Sequence, residues 1–279
     1  MAAMNHHAQP VLRAHGLAVG FDNQSVLTDV TFDLPAQSLI AVVGPSGVGK
    51  STLLRALAGL LPPLAGTVDR PPDSDPGTRP WSMVFQSPRL LPWRRVRANV
   101  ELGLEGLALS REERRQRAER YLEQVALADY ADRWPHSLSG GQQQRVGLAR
   151  ALAVQPKVLF MDEPFSALDA ITRRRLQQAL VDLRRQTPAA IVFVTHDIEE
   201  AAVLSDRIIV LGDHPQGGPA HVRAQQAVEL PLEARRDHSG FRPLIQEIEA
   251  LIRTGPRAST AYSEHQANDT AGRFSRPYG

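Results

Sequence analysis

Apolar and polar positions alternate along VLRAHGLAVGF and VTFDLP near the start of the chain, with the pair Asp22-Asn23 between them. Successive side chains of a strand point to opposite faces, so the alternation predicts two strands joined through a turn. The unbroken apolar run LIAVVG that follows predicts a buried strand. After GPSGVGKS the period changes, and Leu53, Leu54, Leu57 and Leu61 recur at helical spacing. RPPDSDPGTRP, residues 70–80, holds too much proline and aspartate for regular structure and reads as a turn or short exposed loop; WSMVFQ then reads as a short strand. Ser110 with Glu113 three residues on forms a capping box for a helix with Ala118, Tyr121, Leu122 and Val125 on its apolar face, inside a helical region expected over about 105–153. KVLFMDEP and AAIVFVTHD are again core-type strands, separated by the helical stretch ITRRRLQQALVDLRRQ and followed by RIIVLGD. This β-α-β alternation implies a parallel sheet with helices on its faces. Phe241 and RPLIQEIEALI form an amphipathic pattern expected to pack as a C-terminal helix, and the stretch from about Arg253 has no periodicity and is expected to be a mobile tail.

Composition narrows the class without naming a function. A chain of 279 residues with 42% hydrophobic content can bury a large core. Cysteine is absent, so no disulfide framework or sulfur metal site is available, which fits a reducing compartment. The opening MAAMNHHAQPVLRAHG lacks the charged-then-apolar pattern of a signal peptide, and the apolar runs fall below the roughly 18 residues a membrane span needs. Any membrane role is therefore expected to be peripheral. His6 and His7 read as a solvated tail. A formal net charge of +2 provides no global field for nucleic acid, and the run Arg173-Arg174-Arg175 reads as a solvated helix face. Of 32 cationic residues only Lys50 and Lys157 are lysines. Lys50 stands inside the glycine loop, where a compact ammonium fits and a planar guanidinium would crowd a phosphate.

Gly44-Pro45-Ser46-Gly47-Val48-Gly49-Lys50-Ser51, followed by Thr52, satisfies the G-x-x-x-x-G-K-[ST] pattern between a strand and a helix. Its backbone amides and helix dipole suit phosphate oxygens, Lys50 reaches the β/γ-phosphates, and Ser51 suits magnesium. Such a loop needs a second magnesium carboxylate at the end of a buried strand, and VLFM followed by Asp162 supplies it. Glu163 is the next residue. In a continuing strand the two acids point to opposite faces, so both serve one site only if the strand ends there, as Pro164 suggests; Glu163 is then the candidate to polarise the attacking water. Asp-Glu-Pro alone also fits a strand-ending turn. His196 closes another strand and Gln86 ends MVFQ; packing or capping is the plain alternative for the histidine, and the glutamine amide suits orienting water or metal.

Leu138-Ser139-Gly140-Gly141-Gln142, between Gln86 and Asp162, completes a set that resembles the ATP-binding subunit of ABC transporters over roughly residues 11–212. The resemblance implies an α/β fold: a P-loop NTPase (RecA-like) core with a mostly parallel sheet, an N-terminal antiparallel β part and a helical insert at about 89–154 carrying the signature motif. It implies a cassette over 1–235, with 236–279 as C-terminal helix and tail. ATP and Mg2+ are the expected cofactors, with Ser51, Gln86 and Asp162 on the metal side and Glu163, His196 and Gln86 catalytic. The expected partners are a second copy in a head-to-tail ATP sandwich, two transmembrane permease subunits and, indirectly, a periplasmic solute-binding protein, at the cytoplasmic face of the bacterial inner membrane. Ser139, Gly140, Gly141 and Gln142 would bind the γ-phosphate held by the partner's P-loop, which explains why one chain carries two anion-binding helix starts. Phe21 matches the aromatic that stacks on adenine, although a core role is open to it. Gln86 also matches the glutamine that joins the metal site to the transmembrane partner. Ser166-Ala167-Leu168-Asp169 matches the loop that crosses the dimer interface.

Two departures stand out: Gln37 replaces a usual glycine before the P-loop strand, and residues 66–80 are compressed and rich in proline. LLPWRRVRANVELGL after Gln86 resembles nitrate, sulfonate and taurine importers, closest by eye to those for aliphatic sulfonates. Leu90, Leu91 and Trp93 would receive a permease helix or, alternatively, fill the helical core. A soluble ATPase of the same superfamily is the rival reading, as is a cassette from another transporter class. The former usually carries a long coiled-coil insertion or tandem cassettes; here each motif occurs once.

Overall fold

The computed structural model describes residues 9–253 apart from 74, 167, 187 and 215, and without the side chains of 183, 185, 186 and 233. The first strands, β1 (Leu12–Phe21) and β2 (Gln24–Leu34), pair antiparallel through Asp22 and Asn23. Both turn residues have positive φ, 49° and 59°, the conformation that matches the twist of a two-residue hairpin. β3 (Leu39–Val43) is wholly buried, as its unbroken apolar run predicts, and enters α1 (Lys50–Leu57) through the glycine loop. β4 (Ala65–Asp69) returns to pair with β1, completing a three-stranded antiparallel sheet of order β2-β1-β4.

The larger sheet adds β5 (Trp81–Val84), β6 (Val158–Asp162), β7 (Ala190–Val194), β8 (Arg207–Gly212) and β9 (His221–Ala227). Its order is β5-β6-β7-β3-β8-β9, parallel except for β9. A period of two divides each central strand between two cores. Ile40, Val42, Phe160, Val192, Val194 and Ile209 face α1 and the antiparallel sheet. Ala41, Val43, Leu159, Met161, Phe193 and Val210 face the remaining helices. Those helices are α2 (Val96–Gly103), α3 (Arg111–Gln124), α4 (Gly140–Ala153), α5 (Ala170–Gln186), α6 (Ile198–Leu204) and α7 (Phe241–Arg253).

Most of this matches the pattern in the chain. Ser110 and Glu113 form the expected capping box of α3, and α7 buries Phe241, Leu244 and Ile248 in the same core as the sheet. Gln37 takes φ 59°, a backbone conformation natural to the glycine it replaces. Three details differ. The helical region begins at Val96 rather than near 105. β4 and β9 lack a core-type pattern because neither contains a buried residue. Arg173 is only half-buried and pairs with Asp197 at 3.5 Å and Glu200 at 3.6 Å, while Arg174 and Arg175 are exposed as expected. His6, His7 and the tail beyond Arg253 lie outside the described residues.

Candidate nucleotide site

The glycine loop starts where β3 ends at the C-terminal edge of the sheet, the edge at which open α/β sheets hold ligands. Gly49 caps α1 at φ 99°, a conformation costly for any residue with a Cβ, and no side chain caps the helix start. Ser46 and Gly47 are exposed at the loop tip, whereas Val48, Gly49 and Lys50 are buried. Lys50 is 6% exposed and donates to the carbonyls of Gly44 at 2.9 Å and Pro45 at 2.8 Å. Burial pushes its pKa below the ordinary lysine value, with the Glu163 and Asp162 carboxylates opposing that shift. The loop thus combines uncapped amides and a cation, a site suited to a polyphosphate.

Across from the loop, Ser51 Oγ donates to Asp162 Oδ1 at 2.7 Å. Asp162 closes β6 and is buried, and Glu163 follows in the left-handed region at φ 44°. That turn frees Glu163 from strand alternation and resolves how adjacent acids serve one site. Glu163 Oε2 accepts from Gln86 Nε2 at 3.3 Å and lies 3.4 Å from His196 Nδ1. Gln86 also donates to Ser166 Oγ at 3.3 Å, and Ser166 donates to the Glu163 carbonyl at 3.0 Å. Gln86 and His196 therefore converge on one carboxylate oxygen of Glu163, which follows directly on Asp162 of the Ser51–Asp162 pair.

Sequence reasoning missed the residues that hold these groups. Thr195 Oγ1 donates to Glu200 at 2.6 Å and accepts from the Asp197 amide at 3.0 Å, shaping the turn that carries His196. Burial raises the Glu200 pKa, partly offset by the Thr195 bond. Arg173 ties this turn to α5 through Asp197 and Glu200. On the glutamine side, buried Gln144 donates to the Phe85 carbonyl at 3.2 Å, and Arg150 donates to the carbonyls of Pro88 at 2.6 Å and Arg89 at 3.1 Å. Both come from α4, so the signature helix grips the backbone beside Gln86. Their only sequence signal is position on α4.

The signature residues stand apart. Ser139 caps α4 and accepts from the Gln142 amide at 3.3 Å, while Gln142 Oε1 accepts from the Ser139 amide at 2.9 Å. Ser139 and Gly140 are exposed. Gly141 faces α5, where a Cβ would stand 2.2 Å from Thr172 Cγ2, so the close helix contact requires glycine. Asp169 caps α5: its carboxylate accepts from the amides of Ile171 and Thr172 at 3.0 Å and from Thr172 Oγ1 at 2.6 Å. These bonds, the Thr172 side chain first, hold its pKa below the usual carboxylate range. Ala167 lies outside the described residues. Phe21 is 49% exposed at the hairpin turn and is not core.

The LLPW stretch is held by Asn99 of α2, fully buried, which exchanges bonds with the Leu91 backbone at 2.7 Å and 3.1 Å and donates to the carbonyls of Arg94 and Arg95. Leu90 packs on the core, but Trp93 is 70% exposed. Among the described residues, no helix is long and apolar enough to cross a membrane.

Comparison with known proteins decides what this arrangement belongs to. The family described as ABC transporter matches residues 27–166. The chain is 41% identical over 252 residues to an aliphatic sulfonates import ATP-binding protein of Agrobacterium fabrum, covering 88% of this chain and 87% of that one. This chain belongs to the ABC transporter family. It is an ATPase of the kind that powers an importer. A taurine import ATP-binding protein of Yersinia pestis is 44% identical over 207 residues, covering 74% of this chain and 81% of the relative. Among solved structures, a dimeric bacterial ABC transporter cassette shares 31% identity with a TM-score of 0.66, over 79% of this chain and all (100%) of that chain.

Proposed function

We propose that two copies of this chain close head to tail around two ATP molecules and drive an inner-membrane importer for a small sulfonate, taurine or similar solute. The observation that carries this reading is the divided chemistry. Lys50, Ser51, Asp162, Glu163, Gln86 and His196 lie together, while Ser139 hydrogen-bonds only within its own turn among the described residues. The Ser139-Gly140-Gly141 helix start is then an anion site for the γ-phosphate of a partner's nucleotide. The dimeric form of the related cassette supports that arrangement.

Within one site, the loop from Gly44 to Thr52 cradles the phosphates and Phe21 stacks on the adenine. Glu163 Oε2 takes the proton of the attacking water, with Gln86 and His196 orienting the carboxylate from either side. Asp169 and its loop cross the dimer interface. Ser51 and Asp162 present hard oxygen ligands side by side, a donor set that fits Mg2+ completed by phosphate oxygens. When bound, the ion would supply charge neutralisation to the β- and γ-phosphates, with Ser51, Asp162 and Gln86 as the residues that would hold it. Residues 1–235 are assigned to the cassette and 236–279 to a C-terminal helix and tail.

Trp93, exposed beside the glutamine loop, is the face for two permease subunits, placing the chain peripherally at the cytoplasmic side of the membrane with a periplasmic solute-binding protein as an indirect partner. Import substrates of the relatives support a sulfonate or taurine assignment. The test is Glu163→Gln: hydrolysis is expected to fall by about 10²–10⁴-fold while ATP affinity stays within about twofold, and an ATP-bound dimer accumulates on size exclusion. Turnover at the normal rate would remove Glu163 as the base.

A further inference from the structure

A cleft of about 400 Å³ lies away from the nucleotide site, between α5, the end of α6 and the short 3-10 segment Leu232–Asp237. Arg235, 4% exposed, fixes that segment by donating to the carbonyls of Val203 at 3.0 Å, Ser205 at 2.7 Å and Leu230 at 3.0 Å, with Asp206 3.7 Å away. Arg236 leans across the cleft and donates to Gln177 Oε1 at 2.7 Å. Its other edge approaches the exposed Glu199 carboxylate at 4.0 Å. Gln177 is only 4% exposed, yet its amide nitrogen has no hydrogen-bond acceptor among the described residues. Gln177 lines this cleft, and its amide nitrogen is a free donor there. Arg174 lines the same wall, also without a partner among the described residues, and Val181, Val203 and Leu232 add apolar surface. Asp237 is the single acid in the lining among the described residues.

An amide and two guanidinium groups, hydrogen-bond donors all, face a space large enough for a small ligand, beside an apolar wall. We propose that this cleft binds a small organic oxyanion, with its anionic group on Gln177, Arg174 and Arg236 and a short alkyl group against Val181, Val203 and Leu232. The ligand bridges the C-terminal segment to α5, the helix capped by Asp169 and tied through Arg173 to the turn carrying His196. It thus reaches a lever that ends at the site of hydrolysis. The assignment stands on the cleft alone and does not depend on which solute the importer moves.

The experiment is calorimetric titration of the full chain with propanesulfonate and, separately, methanesulfonate, both with saturating ADP so that the P-loop is occupied. Propanesulfonate is expected to bind about tenfold more tightly, because two more methylenes leave water. Arg236→Gln and Gln177→Leu are each expected to weaken it by about tenfold with ADP affinity unchanged. Leucine preserves the buried volume of Gln177, and a thermal melt confirms that each variant is folded. Absence of binding to the wild-type chain overturns the proposal, as does equal binding of the two sulfonates or affinity unchanged in both folded variants.

Discussion

α1 and α4 both start in glycine-rich turns, and the two helix starts are finished in opposite ways. At α1 no side chain caps the helix, and the loop before it folds against buried Lys50. At α4 the first turn caps itself through Ser139 and Gln142 and stands exposed. One start is left open inside its own chain's chemistry; the other is stabilised alone and displayed. On the proposed head-to-tail arrangement, the start that serves its own chain relies on the ligand to satisfy its amides, whereas the one that meets a partner's ligand is stable without it.

The sharpest way to break this contrast is Ser139→Arg. A bulky cation at the displayed start is expected to lower hydrolysis by about 10²-fold or more while ATP affinity of the single chain changes by less than about twofold, as read by steady-state ATPase and equilibrium nucleotide binding. Full hydrolysis in this variant would show that the displayed start has no part in the reaction. A milder comparison pairs Ser139→Ala with Ser110→Ala, since both serines head capping boxes. Each is expected to cost about 1 kcal/mol in chemical denaturation. Only the Ser139 variant should lose ATPase activity, because the α3 cap serves stability alone.

The smallest effect concerns Asp169. Its folded pKa is lowered, so its contribution to stability is complete above the ordinary carboxylate range, declines as pH falls through that range and is gone below the folded value. Carboxyl NMR titration should find its midpoint below that of a free aspartate. Thr172→Val should move the midpoint back up, since Thr172 Oγ1 is the leading cause of the shift.

Much of the site was legible because its signals are local. The glycine loop, the acid ending VLFM and the signature each declare themselves within a few residues, and a buried strand cannot hide its apolar run. The supports were not legible. Gln144 and Arg150 act through backbone carbonyls far along the chain, Asn99 through those of the irregular stretch just before its helix, and any polar residue at those positions reads as solvated in a linear pattern. β4 and β9 were silent for a related reason: each earns its place by backbone pairing to a neighbour, with no buried side chain to mark it.

The amino-acid order alone determined which residues carry the chemistry, because period, glycine placement and charge are properties of short stretches. Tertiary structure decided how they meet: that Glu163 turns left-handed out of β6, that Gln86 and His196 reach one oxygen of it, and that Arg173 pairs with Asp197 and Glu200 while its neighbours face water. Those outcomes depend on contacts between segments distant in sequence, whose geometry exists only once the sheet has set the strand ends side by side.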